Sequence, residues 1–361
     1  MGLNPSNNEV NKKVAIIILN WNCWKDTLEC LESVQRLNYP SYEIIVLDNG
    51  STDRSVEKII ERCKGRIPVN TDSVKFSPEL KPVRFTILDR FNVEKGDRPV
   101  QGSNIIQVPD NQNLIIIQSS ENLGFAEGNN VAIKSAFNSS NPPEFVFLLN
   151  NDTWVDPNCL SHLIETAFKE KASIVGSLVK DQSGKKTIFS VDPRRPEFFY
   201  RKMRHYPHDL MNDEPTTMVC GCAMLIHRSA LMDHENHYGY FLNTKLFLYG
   251  EETEFCLNAK RLGHNIFVSK KSLVYHKDKS NSRENHRNLL TLYYMTRNAI
   301  HIANNVLSGF WLIFFHIVYP FARLKVIIRM LVEGKIKEAS AIYEGIRDGY
   351  KGIHGKWRKQ R

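Results

Sequence analysis

Four short apolar runs, each set beside a helical pattern, constrain the fold of this chain more than any other feature. Val14–Leu19 (VAIIIL), Tyr42–Leu47 (YEIIVL), Leu114–Ile117 (LIII) and Phe145–Leu149 (FVFLL) have strand length and are rich in aliphatic and β-branched residues. Runs that do not alternate with polar residues belong to strands buried on both faces. After the first run, Asp26 with Glu29 reads as a capping-box start, and Leu28, Leu31, Val34 and Leu37 follow helical spacing. After the second, Asp53 reads as a helix N-cap ahead of a stripe of Val56, Ile59, Ile60 and Cys63. A further helix is expected from about Ala126 to Phe137. Strand, helix, strand in repetition predicts an α/β chain with a single, mostly parallel, doubly wound sheet flanked by helices. A strand over Ser173–Val179, an apolar run at Met218–His227, a helix after Gly250 and a long one from near Glu284 follow.

Two stretches break the rhythm. Residues 64–113 carry Pro68, Pro78, Pro82, Pro99 and Pro109 among many charges, which predicts a surface insertion with a short strand at Val83–Leu88. Residues 306–332 are apolar, with Leu307–Ala322 almost free of charge and Arg323, Lys325 and Arg329 beyond it. Sixteen residues interrupted by Pro320 fall short of the roughly 20 that span a bilayer. Two readings stay open: an amphipathic helix in a membrane interface, aided by the basic tail KWRKQR, or a helix hairpin packed on the core or in a dimer interface.

The net charge of +9 suits polyanionic partners such as phosphorylated small molecules or an anionic membrane surface. Basic residues are scattered without a nucleic-acid-binding motif, so no nucleic-acid partner is expected. Seven cysteines without a CxxC pair signal neither a disulfide framework nor a zinc site, and Cys220 and Cys222 read as same-face residues of a strand. The first residues lack the apolar core of a secretory signal, and the Gly2 and Ser6 match to a myristoylation pattern reads as accidental. The expected setting is the cytoplasm, with peripheral attachment at the inner face of the cell membrane if the apolar segment binds lipid.

In an open parallel sheet, ligands bind beyond the carboxyl ends of the strands. Three polar clusters fall there: Asn20–Trp21–Asn22, Asp48–Asn49–Gly50–Ser51–Thr52–Asp53 and Asn150–Asn151–Asp152–Thr153. One such cluster is ordinary turn chemistry, whereas three on one edge point to a site. A carboxylate such as Asp48 can accept from a nucleobase N–H or a ribose hydroxyl. Asp152 suits a divalent cation, since hard cations prefer oxygen ligands. The stretch Glu121–Asn130 (ENLGFAEGNN) opens a helix with glycine and asparagine, letting backbone N–H groups approach a phosphate. It is not the GxGxxG dinucleotide fingerprint.

The blocks VAIIILNWN, IIVLDNGSTDRS, NLGFAEGNN and FLLNNDTWVDP resemble family 2 glycosyltransferases of the GT-A fold, in particular their rhamnosyltransferase-like branch. CGCAMLIHRSAL, FLYGEETEFCLNAKRLGHNIF, VYH and YYMTRN continue the resemblance in order. It implies a GT-A domain over residues 13–300 with an insertion at about 65–113, a tail at 1–12 and a helical extension at 301–361. It also implies inverting, metal-dependent transfer from a nucleoside-diphosphate sugar, dTDP-rhamnose or a UDP-sugar, to a hydroxyl of a glycan or lipid-linked acceptor in polysaccharide biosynthesis. By position, Asp48 would contact the base, and Asn20, Asn22, Asn49, Asn122, Gly124, Asn129, Asn151, Cys220 and Gly221 would line the nucleotide-sugar site. Asp152 would be the retained carboxylate of the DxD metal motif, whose first position is Asn150, with His276 as a further ligand for Mg2+ or Mn2+. Where the family usually has Glu-Asp after Tyr-Gly, this chain has Glu251–Glu252, so Glu252 would be the general base, beside Glu251. Its extra methylene shifts its reach by about 1.5 Å. Other functions kept open are a sugar nucleotidyltransferase, disfavoured by Asn20–Trp21–Asn22 in place of a basic phosphate loop, and a non-catalytic sugar-nucleotide or glycan-binding protein. Oligomeric state is left open.

Overall fold

The computed structural model describes residues 11–96, 113–189, 212–277 and 285–360. Its strands are β1 (Val14–Asn20), β2 (Tyr42–Asn49), β3 (Arg84–Asp89), β4 (Asn113–Ser119), β5 (Phe145–Asn150), β6 (Thr153–Val155), β7 (Ile174–Asp181), β8 (Thr187–Phe189), β9 (Glu214–Pro215), β10 (Ala223–His227) and β11 (Ile266–His276). They form one sheet with the order β3-β4-β2-β1-β5-β10-β7-β11-β6, β8 pairing with β7 and β9 with β11. The first five strands of that order are parallel, as the apolar runs predict. β10 then enters antiparallel between β5 and β7.

The runs are unalternated because both faces of the sheet are covered. Val14, Ile16 and Ile18 of β1 enter one core layer and Ala15 and Ile17 the other. Helices α1 (Trp24–Val34), α2 (Ser55–Cys63) and α5 (Cys159–Lys169) contribute to the first layer; α4 (Gly124–Phe137), α6 (Arg228–Tyr238) and α7 (Glu251–Arg261) to the second. Each fully buried aliphatic side chain contributes about 1.5–3 kcal/mol, which fixes the strand order against sliding. The expected strand near Val83–Leu88 is β3, the edge strand, followed by the short helix α3 (Arg90–Glu94). The segment read as a surface insertion therefore extends the sheet, and its residues 97–112 lie outside the described residues.

Three local expectations are corrected. Asp26 and Glu29 form no capping box: α1 starts at Trp24 without a side-chain cap, and both carboxylates pair with Lys277. A charge partner distant in sequence has taken the groups that local capping would use. Cys220 and Cys222 precede β10 in a turn, with their sulfurs 3.1 Å apart, rather than sharing a strand face. Pro320 does not interrupt its helix. Beyond α8 (Asn285–Val306), α9 runs without a break from Gly309 to Val332, and α10 (Ile336–Tyr350) follows. Proline forfeits one helical bond, but Phe315 and Tyr319 stack on each other and pack against α8, where the Tyr319 hydroxyl donates to the Thr296 carbonyl (3.1 Å). At 24 residues, α9 is long and apolar enough by length and composition to cross a membrane.

Asp53 accepts from the Ser55 N–H (3.1 Å) at the start of α2, although the residue in the cap position is Arg54 in a left-handed conformation. Between α1 and the edge of the sheet, Glu32 holds Arg62 (2.6 Å) and Lys81 (3.1 Å), all three buried.

Candidate active site

Strand register sets the site. β1 and β2 end level, so Asn20 lies beside Asp48, and Asn150 of β5 lies beside Leu19 on the other flank. The Asn20 amide donates to Asp48 Oδ1 (2.7 Å) and to Ser51 Oγ (3.1 Å), while Asp48 Oδ2 accepts from the Ser51 N–H (3.1 Å). Thr27 donates to Asn20 Oδ1 (2.7 Å) and accepts from the Asn151 amide (2.9 Å). Asn22, at φ 49°, accepts from the Thr52 N–H (2.7 Å), and its own N–H meets Ser51 Oγ (2.9 Å). Asn20, Asn22, Asp48 and Asn151 are thus one network knitted by Ser51 and Thr27.

A second network joins β2 to the start of α4. The Asn49 amide donates to the Gly124 carbonyl (3.0 Å) and its oxygen accepts from the Leu123 N–H (2.8 Å). Asn122 accepts from the Gly124 N–H (2.9 Å). Gly124 has φ +81°, and a Cβ there would sit 2.3 Å from the Phe247 carbonyl oxygen, so only glycine lets these backbones meet. Asn129 lies apart: it is buried within α4 and donates to the Phe125 carbonyl (2.8 Å).

Asp152 and His276 come together although they are far apart in sequence. β6 and the end of β11 pair antiparallel, bringing His276 opposite Thr153, and His276 Nε2 lies 3.2 Å from Asp152 Oδ1. Lys277 bonds the Asp152 carbonyl through its N–H (2.9 Å) and reaches Asp26 and Glu29 with its ammonium, tying this corner to α1. A carboxylate oxygen and an imidazole nitrogen at this separation fit two-point attachment of a divalent cation, with the remaining ligands free for phosphate and water. Among the described residues no group of three or more His, Cys, Asp or Glu is gathered to hold a metal by itself. Asn150 is partly buried, and its N–H donates to the Cys222 carbonyl (2.9 Å).

Glu251 and Glu252 begin α7. Burial pushes the Glu251 carboxyl well above its ordinary value, and the charges of Glu252 and Glu254 add to the shift. Burial also raises Glu252, against backbone hydrogen bonds that pull it down. Gly221 faces Glu252 directly: a Cβ at 221 would lie 3.1 Å from the Glu252 Cβ. The cysteine turn lies near both carboxylate centres. The Cys222 thiol is raised by its hydrogen bond with Cys220, by burial, and by the negative charges of both Asp152 and Glu252. Glu254 points away from this turn and is held by Asn305 (2.8 Å), Asn243 (3.0 Å) and Tyr240 (3.1 Å).

The loop that delivers Glu251 and Glu252 is strained, with Phe247 at φ 65° and Tyr249 at φ 67°, rare for non-glycine residues. Its clamp comes from α8. The Asn298 amide reaches the carbonyls of Leu246 (3.1 Å), Leu248 (2.9 Å) and Tyr249 (2.7 Å), and Arg297 reaches that of Leu246 (2.7 Å). The Phe125 N–H bonds the Phe247 carbonyl (2.7 Å), joining the same loop to the start of α4. Sequence reasoning registered YYMTRN only as a block; the role of Arg297 and Asn298 needs the distance between α8 and this loop.

The sequence model of glycosyl transferase family 2 matches residues 15–75 and 103–234, more than half of the chain. The chain belongs to glycosyl transferase family 2. No curated protein sequence matches it. Among solved structures, the mannosyltransferase PcManGT from Pyrobaculum calidifontis, in complex with GDP-Man and Mn2+, is similar at 10% identity and a TM-score of 0.54, covering 94% of this chain and 87% of that one. S. aureus TarS matches at 17% identity and a TM-score of 0.47 over 82% of this chain, which spans 40% of the TarS chain. TarS 1–349 in complex with UDP matches at 14% identity and a TM-score of 0.46, covering 94% of this chain and 92% of that one. The likeness is one of fold, and it accords with the α/β sheet of this glycosyltransferase.

Proposed function

We propose that this glycosyltransferase moves a sugar from a nucleoside-diphosphate sugar, dTDP-rhamnose or a UDP-sugar, to a hydroxyl of a glycan or lipid-linked acceptor, with inversion at the anomeric carbon. The observation that carries the reading is that Glu252, packed against Gly221, and the Asp152–His276 pair both lie close enough to the Cys220–Cys222 turn for the charges of Glu252 and Asp152 to raise the Cys222 thiol. Glu252 takes the proton from the acceptor hydroxyl as that oxygen bonds to the anomeric carbon. The bond from that carbon to the nucleoside diphosphate breaks on the opposite face, in one displacement. Its raised carboxyl is a stronger base than an ordinary glutamate once deprotonated. Gly221, lacking a Cβ, lets the turn pack closely against it, and the Asn298 clamp holds the loop that leads to it. Asp152 and His276 would hold Mg2+ or Mn2+, whose chemistry here is charge neutralisation on the departing diphosphate. Asn20, Asp48 and Asn122 orient the nucleotide through the networks at the strand ends.

The experiment is a thermal-shift screen of nucleotide sugars with and without Mg2+ or Mn2+, followed by nucleoside-diphosphate release from the best binder. Ligand binding raises apparent stability by mass action. Cation-dependent binding with sugar transfer supports the reading. Binding without transfer to any acceptor favours a sugar-nucleotide-binding protein, and absence of any shift contradicts donor recognition.

A further inference from the structure

Helix α9 leaves uncovered the face that a soluble protein would bury. Phe315 and Tyr319 pack inward on α8, whereas Phe310, Ile317, Phe321, Leu324, Ile328 and Leu331 are each at least half exposed. Their spacing of three, four and seven places them on one stripe of the helix, opposite the packed face. With Trp311, Ile313 and Val332 beside it, the stripe exceeds the roughly 300–600 Å² apolar patch that a soluble monomer ordinarily shows. The charge of the chain is concentrated here too. Residues 306–361 hold eleven Lys and Arg against four Asp and Glu, so +7 of the total +9 lies in this segment.

We propose that α9 lies in the plane of an anionic membrane surface, with its stripe in the boundary between headgroups and acyl chains. Lys325 is exposed beside the stripe, and Arg329 and Lys335 share Glu333 at its end, so cationic side chains sit at headgroup level. A spanning orientation is disfavoured by the charges on and beside the helix. The second half of α9 itself carries the exposed Lys325 and Arg329, and α10 packs along it carrying the partly exposed Arg347; hydrocarbon around α9 would strip water from these groups. A second copy of the chain fits less well, because self-association would set +7 against +7.

The placement bears on the site. α8 receives α9 at Thr296 and clamps the Glu251–Glu252 loop through Asn298, two residues on and on a different face. One helix diameter, about 10 Å, separates the membrane-facing element from the loop that carries the two glutamates. The inference does not depend on the catalytic reading, since vesicle binding requires no turnover.

The test is flotation of the full chain with vesicles of phosphatidylcholine alone and with added phosphatidylglycerol, at low and high salt. Flotation is expected with the anionic vesicles and should weaken with salt. Phe321→Glu and Ile328→Glu, both at exposed positions, should each weaken vesicle affinity by about tenfold or more with thermal stability retained. Lys325→Glu should weaken binding to the anionic vesicles by at least about fivefold. The proposal is overturned if the protein floats with neither vesicle. It is equally overturned if light scattering finds a dimer that Phe321→Glu disperses while the wild-type chain ignores lipid.

Discussion

Replacing Asn298 with Asp tests how the loop ahead of Glu251 is held. The substitution keeps the side chain's shape but removes the amide N–H groups that serve the Leu246, Leu248 and Tyr249 carbonyls at 3.1, 2.9 and 2.7 Å. A typical buried hydrogen bond contributes about 0.5–1.5 kcal/mol net, so losing this set should cost about 2–4 kcal/mol. The strain at Phe247 and Tyr249, about 1–3 kcal/mol each, is then no longer held by the clamp. The loop should relax and take the two glutamates with it. Hydrogen exchange over residues 246–254 should accelerate, and nucleoside-diphosphate release should fall by about a hundredfold. Donor affinity should fall far less than turnover, because the Asn20–Asp48 network does not touch the loop and only the start of α4 meets it at Phe247; a misplacement of about 1 Å suffices for such a rate loss. Wild-type exchange rates in 246–254 together with wild-type turnover would refute the clamp.

Three further outcomes follow from particular contacts. Glu32→Gln should lower the unfolding free energy by about 3–5 kcal/mol in urea titration, because Arg62 and Lys81 remain buried without their carboxylate; a loss under about 1 kcal/mol would contradict it. Gly124→Ala forces a Cβ against the Phe247 carbonyl at φ +81° and should cost about 2 kcal/mol or more, so wild-type stability would mean that the two backbones do not meet. His234 and His301 are lowered from 6.5 to about 4 by burial, so the unfolded chain takes up their protons first. Their contribution to stability is present above about pH 6.5 and is lost as the pH falls through about 4. Together they add a slope of up to about 2.7 kcal/mol per pH unit, which replacing both with Gln should remove from the urea midpoints.

The sheet was legible because burial on both faces leaves an unmistakable run such as VAIIIL, and strand ends rich in Asn and Asp mark its functional edge. The pairing of Asp152 with His276 was legible only as a resemblance: their proximity comes from β6 lying against β11, which no local pattern encodes. The capping reading of Asp26 and Glu29 failed because Lys277, some 250 residues away, competes for the same carboxylates. The Arg297–Asn298 clamp was invisible for the same reason, its targets lying about 50 residues upstream. Hydropathy marked residues 306–332 as apolar but could not say which face is covered; that depends on where Phe315 and Tyr319 dock on α8.

The central claim is that Glu252 is the base of a sugar transfer at this site. It is tested most directly by nucleoside-diphosphate release from a bound donor, in the presence of acceptor and Mg2+ or Mn2+, for the wild-type chain and Glu252→Gln. The account predicts a loss of about 10²–10⁴-fold in turnover, donor affinity unchanged, and wild-type activity that falls on acidification with a midpoint above the ordinary glutamate range. Unchanged turnover in Glu252→Gln would contradict it.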